Sequence, residues 1–299
     1  MVTKVFRNLK WIIEKLQNSR SMTFNEINEE WRKEVNLSKG VNMLRKTFYN
    51  YRKMLNDKFG IEIWEEEDGS HAYYLKNPEM LRKDSLMKWM LNSLAIDEKF
   101  MGCKSLANRI VLENIPSGNK TLDCVTDAMM GNFKLRFNYM KYGSTEMNEY
   151  AGEPWALKLY HQRWYLLVNF GGDKKYTFGL DRMRNPTILA ETFEMPIGFN
   201  AADYFEEFYG IYNSGKEMTR IVLRAFGDEN YYLRDLPIHK SQREIGSGDG
   251  YTDFMIELRP NKELIAYLLS RRERLKVLSP DSIVEEMKET IEGIAAIYS

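Results

Sequence analysis

The chain has 299 residues, enough for two or three domains, and its 43% hydrophobic and 13% aromatic content supports packed cores rather than disorder. Lysine plus arginine and aspartate plus glutamate each number 43, so the net charge is zero and any footprint for a nucleic acid must be local. Two cysteines (Cys103 and Cys124) outside any C-x-x-C pair, and three scattered histidines (His71, His161, His239), argue against a disulfide framework or a structural zinc site.

No apolar run approaches about 18 residues, so no membrane span is expected. The first residues run directly into an amphipathic pattern, without the apolar stretch of a signal peptide. A cytoplasmic protein is expected.

Phe6, Leu9, Ile13 and Leu16 recur on one face of a first helix. Thr23-Phe24-Asn25-Glu26 has the form of a capping box and predicts a second helix, with Ile27 and Trp31 turned inward. An irregular connector containing Gly40 precedes a third helix over 43–55, anchored by Phe48 and Leu55. After Gly60 the period changes to two at Ile61 and Ile63. Asp68-Gly69 is a hairpin signal and 71–75 the return strand. Three helices and a β-hairpin predict a winged helix-turn-helix over 1–77.

From Lys39 to Lys58 there are six basic residues and one acid, Asp57. A recognition helix needs cations for phosphates and amides or hydroxyls for base edges. Arg45, Lys46, Thr47, Asn50 and Lys53 supply both and are the candidate DNA-binding residues. The plain alternative is a solvated helix face. The hairpin tip, Glu65-Glu66-Glu67-Asp68, would be repelled by phosphates.

Residues 78–118 read as a helical linker. Leu81, Ser85, Trp89 and Asn92 follow helical spacing, Arg109-Ile110-Val111-Leu112 suggests a short strand, and Pro116-Ser117-Gly118 a break. Leu122, Val125, Met129 and Met130 suggest another helix. Alternation at Leu135, Phe137 and Tyr139, then strands at 155–160, 163–170 and 175–180, predict a small antiparallel barrel within 119–200. Trp164, Leu166, Val168 and Phe170 share one face, read as core. Arg163, Tyr165 and Asn169 share the other.

Glu153-Pro154-Trp155-Ala156-Leu157, then Arg163-Trp164-Tyr165-Leu166, then Leu180-Asp181-Arg182-Met183 resemble the WYL domain. The resemblance implies an Sm/SH3-like barrel, an N-terminal winged helix and a C-terminal extension associated with dimerisation and ligand response. It also implies a bacterial transcriptional regulator, and in several members a nucleic-acid-type ligand on the barrel. The family often shows Arg-x-Phe-Arg-Leu-Asp-Arg. Here two of those arginine positions are Tyr176 and Gly179, which makes any pocket less cationic. The candidate effector-binding residues are Tyr139, His161, Arg163, Tyr165, Lys175 and Arg182. A guanidinium beside a tyrosine suits an anion that carries an aromatic base.

After a linker at 201–217, residues 218–299 run β-α-β-β-α-β with a last helix, the order of a ferredoxin-like α/β sandwich. Gly246-Ser247-Gly248-Asp249-Gly250 reads as a turn between strands, without a P-loop lysine. Arg271-Arg272-Glu273-Arg274 reads as a solvated helix end, with an anion site as the alternative. Ser279-Pro280 is expected to open the last helix with proline at its first position, and Val284, Met287, Ile291 and Ile294 to line its buried face.

The expected fold class is therefore α+β, in several domains. The expected function is a homodimeric, ligand-responsive transcriptional regulator. It would bind double-stranded promoter DNA and sense a nucleic-acid or nucleotide-like effector, without cofactor, metal or catalytic residues. The alternative is a non-enzymatic protein-interaction or RNA-binding module. An enzyme would need clustered carboxylates or a histidine site, and the sequence offers neither.

Overall fold

The computed structural model describes residues 5–81, 86–101, 109, 119–172 and 174–299. Among these residues the fold is α+β, with three antiparallel sheets. The chain forms two compact units, Met1–Glu113 and Asn114–Ser299.

In the first unit, helix α1 (Val5–Asn18) buries Leu9, Ile12, Ile13 and Leu16. A two-residue strand β1 (Met22–Thr23) leads into α2 (Phe24–Lys33) through the expected capping box. Thr23 Oγ1 accepts from the Glu26 N–H, and Glu26 Oε2 accepts from the Thr23 N–H at 2.7 Å. The connector contains one short helix, α3 (Val35–Ser38). Helix α4 (Arg45–Phe59) starts two residues later than its pattern suggests. The reason is that Met43 is held by the side chain of Asn28, which accepts from its N–H at 2.7 Å and donates to its carbonyl at 3.2 Å. Gly60, at φ 61, ends α4 in the left-handed conformation that glycine adopts freely.

Strands β2 (Ile63–Glu65) and β3 (Ala72–Leu75) form the hairpin, and the sheet order is β1-β3-β2. Phe48 joins helix to sheet, with ring centroids 5.6 Å from Phe24 and 5.0 Å from Tyr73. Helix α5 (Leu86–Met101) falls in the segment read as linker, but it packs along α1. Its Leu91 joins the core, and the buried Glu98 carboxylate accepts from the N–H groups of Phe6 and Arg7 in the first turn of α1. A carboxylate there satisfies orphan donors and complements the helix dipole. Ser85, the expected strand at 110–112, the break at 116–118, and Cys103 lie outside the described residues.

The second unit opens with α6 (Asn119–Met130) and a five-stranded sheet. Its strands are β4 (Phe133–Met140), β5 (Met147–Tyr160), β6 (Arg163–Asn169), β7 (Lys175–Gly179) and β8 (Met183–Thr192), in the order β7-β6-β5-β4-β8. The long β5 pairs with β4 through 147–152 and with β6 through 153–160, which curls the sheet. Gly152 allows the bend, because a Cβ there would meet Val168 at 2.6 Å and the Asn169 carbonyl at 2.8 Å. Leu135, Phe137, Leu166, Val168 and Phe178 form the core with Val125 and Ala128 of α6.

The expected outer face of β6 is not simply wet. Leu167 is fully buried with Ala156 under Phe205 and Phe208, on and just after the short helix α7 (Ala201–Glu206). Strand β6 therefore buries apolar residues on both faces, as central strands do. Trp164 is half-buried and packs on the core of the five-stranded sheet.

The C-terminal sheet has the order β10-β11-β9-β12, from β9 (Thr219–Phe226), β10 (Arg243–Gly248), β11 (Tyr251–Leu258) and β12 (Leu275–Ser279). Helices α8 (Glu229–Asp235), α9 (Lys262–Ser270) and α10 (Asp281–Ile297) accompany it. The glycine-rich run lies in the hairpin between β10 and β11, as expected of a turn. Two expectations for α10 need correction. Pro280 precedes the first helical residue as N-cap, because Ser279 still pairs in β12. Ile291 and Ile294 are 52% and 44% exposed, because the helix runs past the sheet it packs on and only Ile283, Val284 and Met287 reach the core.

The five-stranded sheet and the C-terminal sheet are tied by the segment after α7. Arg259 N–H donates to the Glu207 carbonyl at 2.6 Å, and the buried Asn261 donates to the carbonyls of Tyr209 and Tyr212. Glu263 accepts from the N–H groups of Ile211 and Tyr212.

Candidate functional site

The five residues proposed for DNA all lie on α4. Phe48, Leu55 and Phe59 bury one side of this helix, so the opposite side must face out. Arg45, Lys46, Asn50 and Lys53 are exposed and Thr47 is half-buried. Lys46, Asn50 and Lys53 follow one another at spacings of four and three, which sets them in one stripe. Lys46 and Lys53 have no ion pair among the described residues. Arg45 is steadied by the Phe24 ring, 4.7 Å away. Arg52 is not available to a ligand in the same way. It donates twice to the Ile63 carbonyl, at 3.1 and 2.6 Å, and lies 4.8 Å from the Tyr73 ring, so it holds the hairpin against α4.

Tyr49, 63% exposed beside this stripe, is a functional candidate that the charge pattern did not reveal. A cleft of about 580 Å³ separates α4 from the hairpin, lined by Tyr49, Lys53, Trp64 and Glu65 among others. At the hairpin Glu65 pairs with His71 at 2.7 Å, and the Glu65 carboxyl is held below its usual range by that bond. Glu67 and Asp68 are exposed.

The five-stranded sheet gathers part of the second candidate set. A cleft of about 720 Å³ is lined by Tyr139, Lys175 and Arg182, together with Lys141, Tyr142, Tyr176 and Tyr204. Its size falls in the range of small-molecule sites. A second cleft of about 760 Å³ adjoins it, sharing Lys175, Tyr176, Tyr204 and Asn213 and extending to Trp155 and Arg259.

Strand β7 ends at Gly179, and the turn Leu180–Arg182 releases Arg182 from strand parity. Its guanidinium lies 4.8 Å from the Tyr139 ring and 3.8 Å from the Tyr142 ring. Arg182 Nε is buried without a hydrogen-bond partner among the described residues. Tyr139 is itself fixed, because its hydroxyl accepts from the Gly179 N–H at 3.2 Å. Burial pushes the phenol of Tyr139 up.

Arg163 does not line the cleft. It pairs with Asp181, which has a largely buried side chain, and hydrogen bonds to Tyr142 and Asp181 raise its already high pKa. Asp181 thus orients Arg163, and Arg163 meets the cleft through Tyr142, one of the residues that line it. Tyr165 is half-buried between these groups, its pKa raised by burial. His161 stands apart. It sits at φ 46, with Gln162 at φ 60, in the two-residue turn between β5 and β6, its ring 4.1 Å from Tyr160.

Gly179, one of the two replaced arginine positions, lies close against Asp181. A Cβ at 179 would lie 2.8 Å from Asp181 Oδ1, so a longer side chain would displace the carboxylate that holds Arg163. The other replacement, Tyr176, is 56% exposed and lines both clefts, so an aromatic face stands where a cation is common.

The remaining histidine, His239, is bonded to Ser241 at 2.7 Å and to the Glu206 carbonyl at 2.8 Å, and burial lowers its pKa. No group of three metal-ligating side chains occurs among the described residues, and no described helix is long and apolar enough to cross a membrane.

The WYL domain family matches residues 120–188, and the WCX domain family matches residues 217–295. Both matches fall within the second unit, the WYL match on the five-stranded sheet and the WCX match on the C-terminal sheet. Among solved structures, the chain is similar to Proteasome accessory factor B/C (PafBC) of Arthrobacter aurescens at 21% identity and a TM-score of 0.34, covering 95% of this chain and 45% of that one. It is also similar to a CRISPR Cas-related protein at 12% identity and a TM-score of 0.37, covering 99% of this chain and 85% of that one. The chain therefore spans less than half of the PafBC chain. No curated protein matches it significantly.

Proposed function

We propose that the protein is a ligand-responsive, DNA-binding transcriptional regulator, cytoplasmic and homodimeric, and not an enzyme. In this reading the first unit is a winged helix-turn-helix, the WYL domain an Sm/SH3-like barrel and the WCX domain a ferredoxin-like sandwich. Helix α4 enters the major groove, with Lys46 and Lys53 on phosphates and Asn50 toward base edges. The barrel cleft takes a nucleic-acid or nucleotide-like effector. Arg182 meets phosphate, and the cleft tyrosines stack bases. The effector must bind one arrangement of the dimer better than another, or DNA affinity does not change.

The observation that carries the reading is the exposed Lys46–Asn50–Lys53 stripe on a helix whose opposite side is fully packed. A mobility-shift assay on DNA upstream of the protein's own gene tests it. Wild type should shift the DNA, and the shift should weaken with salt as counterions are released. Arg45→Ala/Lys46→Ala/Lys53→Ala should not shift it. Equal shifts from both proteins would sink the assignment of α4.

The exposed acids Glu67 and Asp68 support a second reading, in which this unit docks on a protein or RNA. Binding of single-stranded RNA in preference to the duplex, or no nucleic-acid binding at all, would favour it.

A further inference from the structure

The WCX domain carries a group of cations that neither α4 nor the barrel cleft uses. Arg271 follows the last turn of α9, and the turn Arg272–Arg274 comes next. Arg271 is fixed from two sides. Its Nε and Nη2 donate to the two Glu229 carboxylate oxygens at 2.6 and 2.8 Å, and its guanidinium lies 4.2 Å from the Tyr232 ring. Glu229 is 1% exposed, so this is an internal pair and not the solvated helix end expected from the sequence.

Arg272 and Arg274 are different. Both are exposed, and neither has an ion pair among the described residues. Yet both line one pocket of about 140 Å³ together with Arg271, Ser270 and Glu229. Arg272 reaches it from φ 56, a left-handed conformation that residues other than glycine seldom adopt. Three arginines line the pocket with one carboxylate, Glu229, both of whose oxygens are already committed to Arg271, while the exposed Glu273 of the same turn is not among the lining residues. The partial negative charge of the α9 carbonyl end offsets about half of one charge. The rest of the positive charge converges on a small space, whereas free arginines on a surface repel one another and spread into water.

We propose that this pocket is a binding site for a phosphoryl dianion. Guanidinium forks match phosphate oxygens in geometry as well as in charge. The pocket has room for roughly five waters at about 30 Å³ each, and it is smaller than the roughly 300 Å³ at which small-molecule sites begin. It therefore admits a phosphoryl group and leaves any organic remainder outside. Arg271, held by Glu229, forms the rigid wall, and Arg272 and Arg274 close on the anion. The site is independent of the effector cleft.

Calorimetric titration of the full chain tests this, with inorganic phosphate in one arm and glycerol phosphate in the other, at constant ionic strength. Wild type should give saturable binding in at least one arm, and the arm that binds identifies a free anion or a monoester as the source. Arg272→Ala/Arg274→Ala should lower affinity at least tenfold, and Arg272→Lys/Arg274→Lys should recover it only in part, because lysine keeps charge without the fork. Lys262→Ala, which removes an exposed cation at the opposite end of α9, should bind as wild type does. No saturable heat in either arm, unchanged affinity in the double alanine protein, or an equal loss of binding in Lys262→Ala would each overturn the proposal. Should the double variant fail to fold, the exposed Arg274→Gln alone carries the same expectation.

Discussion

The cations of α4 and those of the WYL domain differ in how they are held. Lys46 and Lys53 extend from a packed helix into solvent, and only Arg45 among the α4 candidates leans on a ring. In the barrel, Arg182 is framed by Tyr139 and Tyr142, and Arg163 is tied to Asp181. Mobile lysines adapt to any spacing of phosphates but lose side-chain freedom on binding. Framed arginines lose little, and they fit one geometry. The first arrangement suits a long polyanion read mainly through its backbone, and the second a small ligand of defined shape. Lys158 is a third case, a cation held under α7 with its Nζ donating to the Gly210 carbonyl at 2.5 Å.

The largest expected effect is on DNA. Arg45→Ala/Lys46→Ala/Lys53→Ala should weaken duplex binding roughly a hundredfold and flatten the log–log salt dependence by about three. Its unfolding free energy from urea titration should change by no more than about 0.5 kcal/mol, as for ordinary surface changes. A large loss of stability instead would mean that these cations are structural, and the contrast with the barrel would fail.

Asp181→Ala comes next. It leaves the Arg163 guanidinium without its carboxylate. Arg163 is partly exposed, so solvent screens the remainder, and urea unfolding should show a loss of about 2 kcal/mol. No change would place the barrel arginines in the same loose class as the α4 lysines.

Lys158 should give a smaller, pH-dependent effect. Burial pulls its pKa from 10.5 down to about 8, against the opposing pull of Glu263. Its neighbours include Tyr160 and His239, and burial raises the Tyr160 phenol and lowers the His239 imidazole. A lysine with a lowered native pKa binds fewer protons folded than unfolded between those two values. Stability from this group is therefore fully present above pH 10.5, and it is lost as pH falls through about 8. Partial exposure limits the effect to about 1–2 kcal/mol. Lys158→Met should remove that slope from a plot of urea stability against pH. An unchanged slope would assign it to other groups.

Much of the first unit was legible because its signals are local. The capping box at Thr23 and Glu26, the hairpin at Asp68-Gly69 and the helical face of Phe48 and Leu55 are each written within a few residues. The β-α-β-β-α-β order of the WCX domain was legible for the same reason. Strand β8 was not, because apart from Met183 its residues are exposed or only half-buried and carry no alternating pattern. Leu167 shares the strand face of Arg163 and Tyr165, and its burial was not legible there because α7, which covers it, is distant in sequence. Ile291 and Ile294 misled in the opposite sense, since helical spacing shows a stripe and not whether the sheet beneath extends that far.

The candidate site follows the same division. The α4 residues lie on one helix, and spacing alone brought them together. In the barrel, Tyr139, Lys175 and Arg182 come from β4, β7 and the turn after it, and Tyr204 from α7. Only the folded sheet brings these into one cleft. His161 was chosen for its place beside Arg163 in sequence, but the turn geometry carries it elsewhere.

The most direct test of the contrast is the affinity of labelled promoter DNA, measured by anisotropy with and without a short single-stranded oligonucleotide, for wild type and Arg182→Ala. The account predicts equal DNA affinity for the two proteins without oligonucleotide. It predicts a shift on adding oligonucleotide for wild type alone. An equal oligonucleotide response in Arg182→Ala, or loss of its DNA binding, would contradict it.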